Sequence, residues 1–543
     1  MWQDIVRFPR FLADWIRPNL NDFRRAELAS VWMLAFAIGV LVGVGAIIFR
    51  LIIGWVQLLW LGTQGEAIAS AAASLPWWAV FIAPAIGGLV VGGLLTLLPE
   101  RRAGGVADVM EAQAVGLNRL TLGKGLSSAL ISSVSLGAGG SAGREGPVVH
   151  LGATLSAVLA RRFDLPGAAR RTILGAGVAA AVSASFNAPI AGVIFAHEVI
   201  LGHYALSAFV PIVISAVVAS VISRLYFGDF PAFIIPDYQI TSYWEMPAFA
   251  LLGVTCAVVA IIFQFVLMGT DNVARRIPIP YYIRPVIGGF AVGGIAVFYP
   301  QVLGVGYEAT DQALNQRLLL WMMIALIFAK TAATAITLAS RFGGGVFSPS
   351  LYLGAMTGGA FGIIAAEVFP ELASSQGLYA ILGMGAVSAA VLGAPFSTTL
   401  IVFELTGGFA LSIALLISVS IASGLTQAIH GHSFFQWQLE TRGLFLRDGP
   451  HKRIVRTIRV RDFMRELEEA ETAEPIEISD DTVTVTPFDT LEATLRAYDR
   501  AGQQRLPVVD AQNQKRVIGW ALRVNALHAY NQALIDTSVE EHR

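Results

Sequence analysis

The sequence predicts an all-α polytopic membrane protein built from two repeated halves, with a small α/β domain after them. Of its 543 residues, 55% are hydrophobic and 14% charged, and the mean hydropathy is +0.64; a water-soluble chain carries about 25% charged residues. Lipid is therefore the solvent for most of it. A block of residues recurs in the second half in the same order, and the texture turns charged and mixed only after Arg442.

Residues 1–26 contain Asp4, Arg7, Arg10, Asp14, Arg17 and Asp22, too many charges for a cleavable signal. Ile5, Phe8, Leu12, Trp15 and Ile16 recur at helical spacing, which predicts an amphipathic helix in the membrane interface. Residues 30–49, 77–98 and 248–268 carry no charge and are long enough to cross about 30 Å of hydrocarbon. Arg24 and Arg25 before the first span, and Lys452, Arg453, Arg456, Arg459 and Arg461 after the last, predict that both ends are cytoplasmic. A net charge of −1 gives no basis for binding nucleic acid, and the single cysteine, Cys256, excludes an intramolecular disulfide.

Between the long spans lie apolar segments of roughly 12–16 residues bounded by glycines, too short to cross the core alone. They predict tilted or broken helices that end inside the membrane, where open backbone is tolerated only beside a buried or watery cavity. Pro147, Leu151, Gly152 and Ala153 recur as Pro349, Leu353, Gly354 and Ala355; Gly175-x-Gly177, Ala188-Pro189 and Glu198 recur as Gly383-x-Gly385, Ala394-Pro395 and Glu404. Two membrane halves follow, 27–228 and 245–445, joined by the polar stretch 229–244. The repeat alone leaves open whether they run parallel or inverted.

In the tail, 446–543, Thr482–Thr486 alternates like a strand and Leu491–Arg500 is patterned like a helix. Val460-Arg461-Asp462-Phe463-Met464, Leu506-Pro507-Val508-Val509-Asp510 and Val517-Ile518-Gly519 resemble the elements of one CBS motif. Such motifs work in pairs, so a single copy points to pairing across a dimer or to capping, and nucleotide binding is not expected.

The string with most chemistry is Gly139-Gly140-Ser141-Ala142-Gly143-Arg144-Glu145-Gly146-Pro147, a glycine-dense loop ending at a proline suited to a first helical turn. Its counterpart is Gly343-Gly344-Gly345-Val346-Phe347-Ser348-Pro349. A helix N-terminus offers unpaired amides and about half a positive charge, enough to hold an anion without a cationic side chain. Partial dipoles suit throughput, because an ion must be stripped of water yet bound weakly enough to leave.

These two strings, in this order, resemble the CLC family of chloride channels and chloride/proton antiporters over roughly residues 27–445. The resemblance implies inverted repeats, a homodimer with one path per subunit, and chloride or a similar small anion as the transported ion, with no cofactor. It implies that Glu145 is the gating glutamate, that amides around Val346 and Phe347 hold the central anion, and that Gly104, Gly105, Val106, Gly143, Arg144, Gly146 and Phe435 belong to the anion-binding set. Arg144 is also read as a structural ion pair facing away from the path. An ionised Glu145 can occupy an anion site and block it, and protonation removes its reason to stay.

Three positions depart from the family pattern. Gly104, in Ala103-Gly104-Gly105-Val106, stands where the family has a serine, and Phe435 where it has a tyrosine, so two hydroxyl donors are gone. In Phe195-Ala196-His197-Glu198-Val199, Val199 stands where antiporters commonly carry an acid that relays protons. Passive, voltage-gated conductance is therefore the first expectation and proton-coupled exchange the alternative. His197, Glu198 and Val199 mark the candidate proton path. His197 titrates near neutrality, and the duplication of Glu198 as Glu404 favours a structural role. An enzyme is not expected: His197 and His203 resemble an intramembrane zinc pair, but six residues place them about 240° apart around a helix.

Overall fold

A computed structural model describes residues 28–229, 233, 235, 236, 238–406, 411–444, 455, 458–467, 482–510 and 516–542. The amphipathic segment expected over residues 1–26 lies outside these, as do Lys452, Arg453 and Arg456. The chain separates into two compact units, Met1–Trp437 and Gln438–Arg543.

In the first half of the larger unit the helices are α1 (Leu28–Leu61), α2 (Ile68–Ala73), α3 (Trp77–Leu94), α4 (Val106–Val115), α5 (Leu122–Gly137), α6 (Glu145–Arg162), α7 (Gly167–Phe186), α8 (Pro189–Phe195) and α9 (Leu206–Phe227). The second half holds α10 (Met246–Arg276), α11 (Arg284–Phe298), α12 (Tyr307–Leu314), α13 (Leu320–Ala339), α14 (Phe347–Val368), α15 (Gln376–Leu392), α16 (Pro395–Thr406), α17 (Ser412–Ile429) and α18 (Phe434–Glu440). Among the described residues, seven helices are long and apolar enough to span a bilayer, and three shorter apolar segments accompany them. Their outward faces carry large apolar side chains, such as Leu89, Leu225 and Phe328, which only lipid solvates cheaply.

Leaving aside α2 and α18, each helix of the first half has its counterpart in the second, α1 with α10 through α9 with α17. The packing is reciprocal. A Cβ on Gly88 would lie 2.2 Å from the Pro285 carbonyl oxygen, and one on Gly289 2.3 Å from that of Pro84; Gly92 and Gly293 meet Tyr282 and Phe81 in the same way. Two backbones thus cross where only glycine fits, each using the same four-residue spacing. Gly143 and Gly345 pair as an antiparallel bridge, so equivalent positions of the two halves face each other head to head. The repeats are inverted.

The sequence register of the repeat shifts in one place. Gly177 packs on the Gly152 carbonyl, and the residue that packs on the equivalent Gly354 carbonyl is Gly383. Gly383 is therefore the partner of Gly177, two residues from the match that the Gly-x-Gly pairs suggest.

The smaller unit has a three-stranded antiparallel sheet, order β1-β3-β2, of β1 (Arg465–Glu466), β2 (Arg505–Val509) and β3 (Val517–Leu522). Among its described residues the helices include α19 (Leu491–Ala501) and α20 (Arg523–His542). Thr490 caps α19 through its hydroxyl, accepting from Ala493 N at 3.1 Å. The strand expected over Thr482–Thr486 reduces to one parallel bridge, Val485 to Val508. The Val460-Arg461-Asp462 string is a short 3-10 turn, and the two apolar strings are β2 and β3. Burial pushes the Tyr498 phenol, in this unit's core, up to about 12.

Candidate anion site

Two helix N-termini, α6 and α14, are brought together by the Gly143–Gly345 bridge. Gly143 N donates to Gly345 O at 2.7 Å and Gly345 N to Gly143 O at 2.8 Å. Glu145 opens α6 and is 1% exposed. Its carboxylate reaches across the repeat boundary: Oε1 accepts from Ser348 Oγ at 2.6 Å and more weakly from Tyr307 OH at 3.5 Å. Oε2 has no hydrogen-bond partner among the described residues. A Cβ on Gly143 would lie 2.7 Å from Oε2 and 3.0 Å from Ser348 N, so glycine is what lets the carboxylate approach α14.

The amides of Val346 and Phe347 precede the first intrahelical bond of α14, from Ser350 N to Val346 O at 3.0 Å. Open amides and the positive end of the helix dipole favour negative charge here. Phe347 is fixed from behind by Phe186 and Phe195, with ring centroids 4.9 and 6.0 Å away. The site therefore holds a carboxylate in a place that suits any small anion.

Other residues expected in the anion set are otherwise engaged. The Gly143 amide is taken by the bridge. Arg144 Nη1 pairs with Glu66 Oε1 at 2.6 Å, its guanidinium lies 4.8 Å over the Tyr307 ring, and Arg50 holds the same Glu66 oxygen at 2.9 Å. Arg144 is thus chiefly a structural ion pair, with Nε 3.9 Å from Glu145 Oε1. Gly146 stands beside Gly345, its N 3.3 Å from where a Cβ on that glycine would be. At the start of α4, Gly104 N donates to Ser128 Oγ at 3.0 Å and Gly105 N to Asp108 Oδ2 at 2.8 Å. Both amides are occupied in this way, and Val106 stands at the head of that helix. Phe435, 5% exposed, packs edge-on to Phe434 and offers only an apolar surface.

The segment expected to carry protons is a π-helical turn, Ala196–Leu201, continuing α8. Glu198 accepts from Phe396 N at 3.1 Å, Ser397 N at 2.8 Å and the Ser397 hydroxyl, all at the N-terminus of α16. Glu404 does the converse at α8, accepting from Ile190 N at 3.1 Å and Ala191 N at 2.7 Å. Each carboxylate caps a helix of the opposite half. Both oxygens of Glu198 are committed to these bonds. His197 Nδ1 meets His203 O at 2.9 Å and its ring stacks on Tyr204. Val199 is a half-buried apolar residue.

Sequence reasoning missed Ser348, Tyr307, Glu66 and Lys330. Ser348 sits inside the quoted loop, yet nothing in a string tells which hydroxyl touches Glu145. Lys330 had a visible signal, a lysine in an apolar span; it is buried and donates to Val302 O and Gly304 O, both at 2.9 Å.

The family model described as voltage gated chloride channel matches residues 87–427. A putative chloride channel protein ClcB-like from Ralstonia nicotianae is 33% identical over 399 residues, 71% of this chain and 91% of that protein. An H(+)/Cl(-) exchange transporter ClcA from Salmonella agona is 29% identical over 445 residues, 80% of this chain and 92% of that protein. Among solved structures, a slow cyanobacterial Cl−/H+ antiporter superposes with a TM-score of 0.68 at 22% identity, covering 76% of this chain and 97% of that one. A CLC-type fluoride/proton antiporter gives 0.63 at 23%, covering 76% and 98%. The chain therefore belongs to the voltage gated chloride channel, or CLC, family, as a multi-pass membrane protein that transports anions and is not an enzyme.

Proposed function

We propose that this protein exchanges small inorganic anions, chloride by default, for protons. The observation that carries the reading is the Glu145 carboxylate lying on the N-terminal turn of α14, bonded to Ser348 at 2.6 Å. An anion and an ionised carboxylate compete for that dipole end. A protonated Glu145 loses its charge and with it its claim on the site, so proton uptake and anion entry are linked at one place. Amides of Val346, Phe347 and Gly146 replace part of the anion's water. Relatives named H(+)/Cl(-) exchange transporters favour this over the passive conductance that the sequence put first.

A passive path is the second reading, favoured by Val199 where a relay acid is expected. The reversal potential of purified protein in liposomes, with a fixed chloride gradient and then an added pH gradient, tests the choice. Exchange predicts a shift when the pH gradient is added; a potential fixed at the chloride equilibrium value supports the passive pore. The same reading has two copies associating as a homodimer, and both termini on the cytoplasmic side.

A further inference from the structure

His150 lies on α6 five residues beyond Glu145 and is 4% exposed. Its Nδ1 has no hydrogen-bond partner among the described residues. The ring edge fills the place of a side chain at position 104: a Cβ on Gly104 would lie 2.4 Å from Nε2 and 2.6 Å from Cε1. Among the described residues, no atom beyond its chain neighbours stands within 4 Å of where a Cβ on Gly105 would be. Gly104 and His150 are thus a matched pair, since any side chain at 104 displaces the imidazole.

The ring also lines a cavity of ≈ 40 Å³ at the N-terminus of α4, with Gly104 and Ser128, room for a water or a monatomic anion. The charged groups facing it cancel in pairs. Arg102 holds Asp108 at 2.6 Å and Glu100 at 2.7 Å, Lys124 holds Glu100 at 3.3 Å, and Arg119 holds Glu111. Among the described residues, His150 is the one titratable group lining the cavity outside these pairs.

We propose that the His150 imidazole is the side-chain ligand of an anion at the N-terminus of α4, and that a small inorganic anion binds there together with a proton on the ring. Protonation makes both ring nitrogens donors. A cation on this buried ring, beside charges that already cancel, is costly, and an anion at the helix N-terminus removes that cost. Proton and anion therefore enter together. The missing hydroxyl at position 104 follows, because the imidazole stands in its place. This inference rests on the anion path proposed above.

The test is chloride binding to purified Glu145→Gln protein by calorimetry, between about pH 5.5 and 8.5, where a histidine titrates. Removing the Glu145 carboxylate removes its own competition with the anion. Chloride affinity is expected to weaken about tenfold as pH rises, within the limit of tenfold per pH unit for one linked proton. In Glu145→Gln/His150→Gln the affinity should not vary with pH, and His150→Asn serves as a second variant. A flat profile in Glu145→Gln, or a slope that survives loss of His150, overturns the proposal. If Glu145→Gln binds no chloride at any pH, the anion path itself fails, and this inference with it.

Discussion

Replacing Glu198 by glutamine separates a structural carboxylate from a proton carrier. Glu198 accepts from Ser397 N at 2.8 Å, from Phe396 N at 3.1 Å and from the Ser397 hydroxyl. Glutamine keeps one acceptor oxygen and turns an NH2 toward the α16 amides, donor against donor. Losing a charged hydrogen bond costs about 1.5–3 kcal/mol, and losing a negative charge at a helix N-terminus about 0.3–1 kcal/mol more. The sum is about 2–4 kcal/mol. One kcal/mol moves Tm by about 2–4 °C in a 150–250-residue domain and by less in a larger one, so a fall of about 2–8 °C is expected. Unfolding in detergent, followed by tryptophan fluorescence, measures it, and Glu404→Gln should fall similarly through α8. The ratio of anions to protons moved should be unchanged in both. A variant of unaltered Tm that no longer moves protons would refute the assignment of Glu198 as a cap.

Glu145→Gln/His150→Gln, with both titrating groups gone, should transport anions at a rate independent of pH between about 5 and 8, against a pH-dependent wild type; flux assays in liposomes check it. Gly143→Ala puts a methyl group 2.7 Å from Glu145 Oε2 and 3.0 Å from Ser348 N, so the carboxylate should lose its seat and chloride should bind at least several-fold tighter by calorimetry. Lys330→Met leaves the Val302 and Gly304 carbonyls unpaired, at about 1–3 kcal/mol each. It should lower Tm with ion selectivity unchanged.

Much of this architecture was legible because its physical causes are local in sequence. Long uncharged runs predict spans, Gly–Pro strings predict helix starts, and the repeated Pro-x-x-x-Leu-Gly-Ala block predicts two related halves. Contacts across the repeat boundary were not legible. The bond from Ser348 to Glu145 links residues 203 apart in sequence, and the exchange of caps between Glu198 and Glu404 appears only when α8 and α16 meet. Position-by-position matching named Gly104 as a lost hydroxyl without showing that His150 occupies its space. The amides of Gly104, Gly105 and Gly143 fit the pattern of an anion loop, yet neighbouring acceptors occupy them. Thr482–Thr486 alternates as a strand should, but only Val485 finds a partner.

In the proposed exchange, one carboxylate, Glu145, carries the proton and contests the anion site. Proton movement driven by a chloride gradient in liposomes, starting without a pH gradient, tests it most directly when wild type and Glu145→Gln are compared. Wild-type protein should move protons uphill in the direction opposite to chloride, and Glu145→Gln should pass chloride with no proton movement. Chloride running down through wild-type protein without protons, or proton movement that persists in Glu145→Gln, contradicts it.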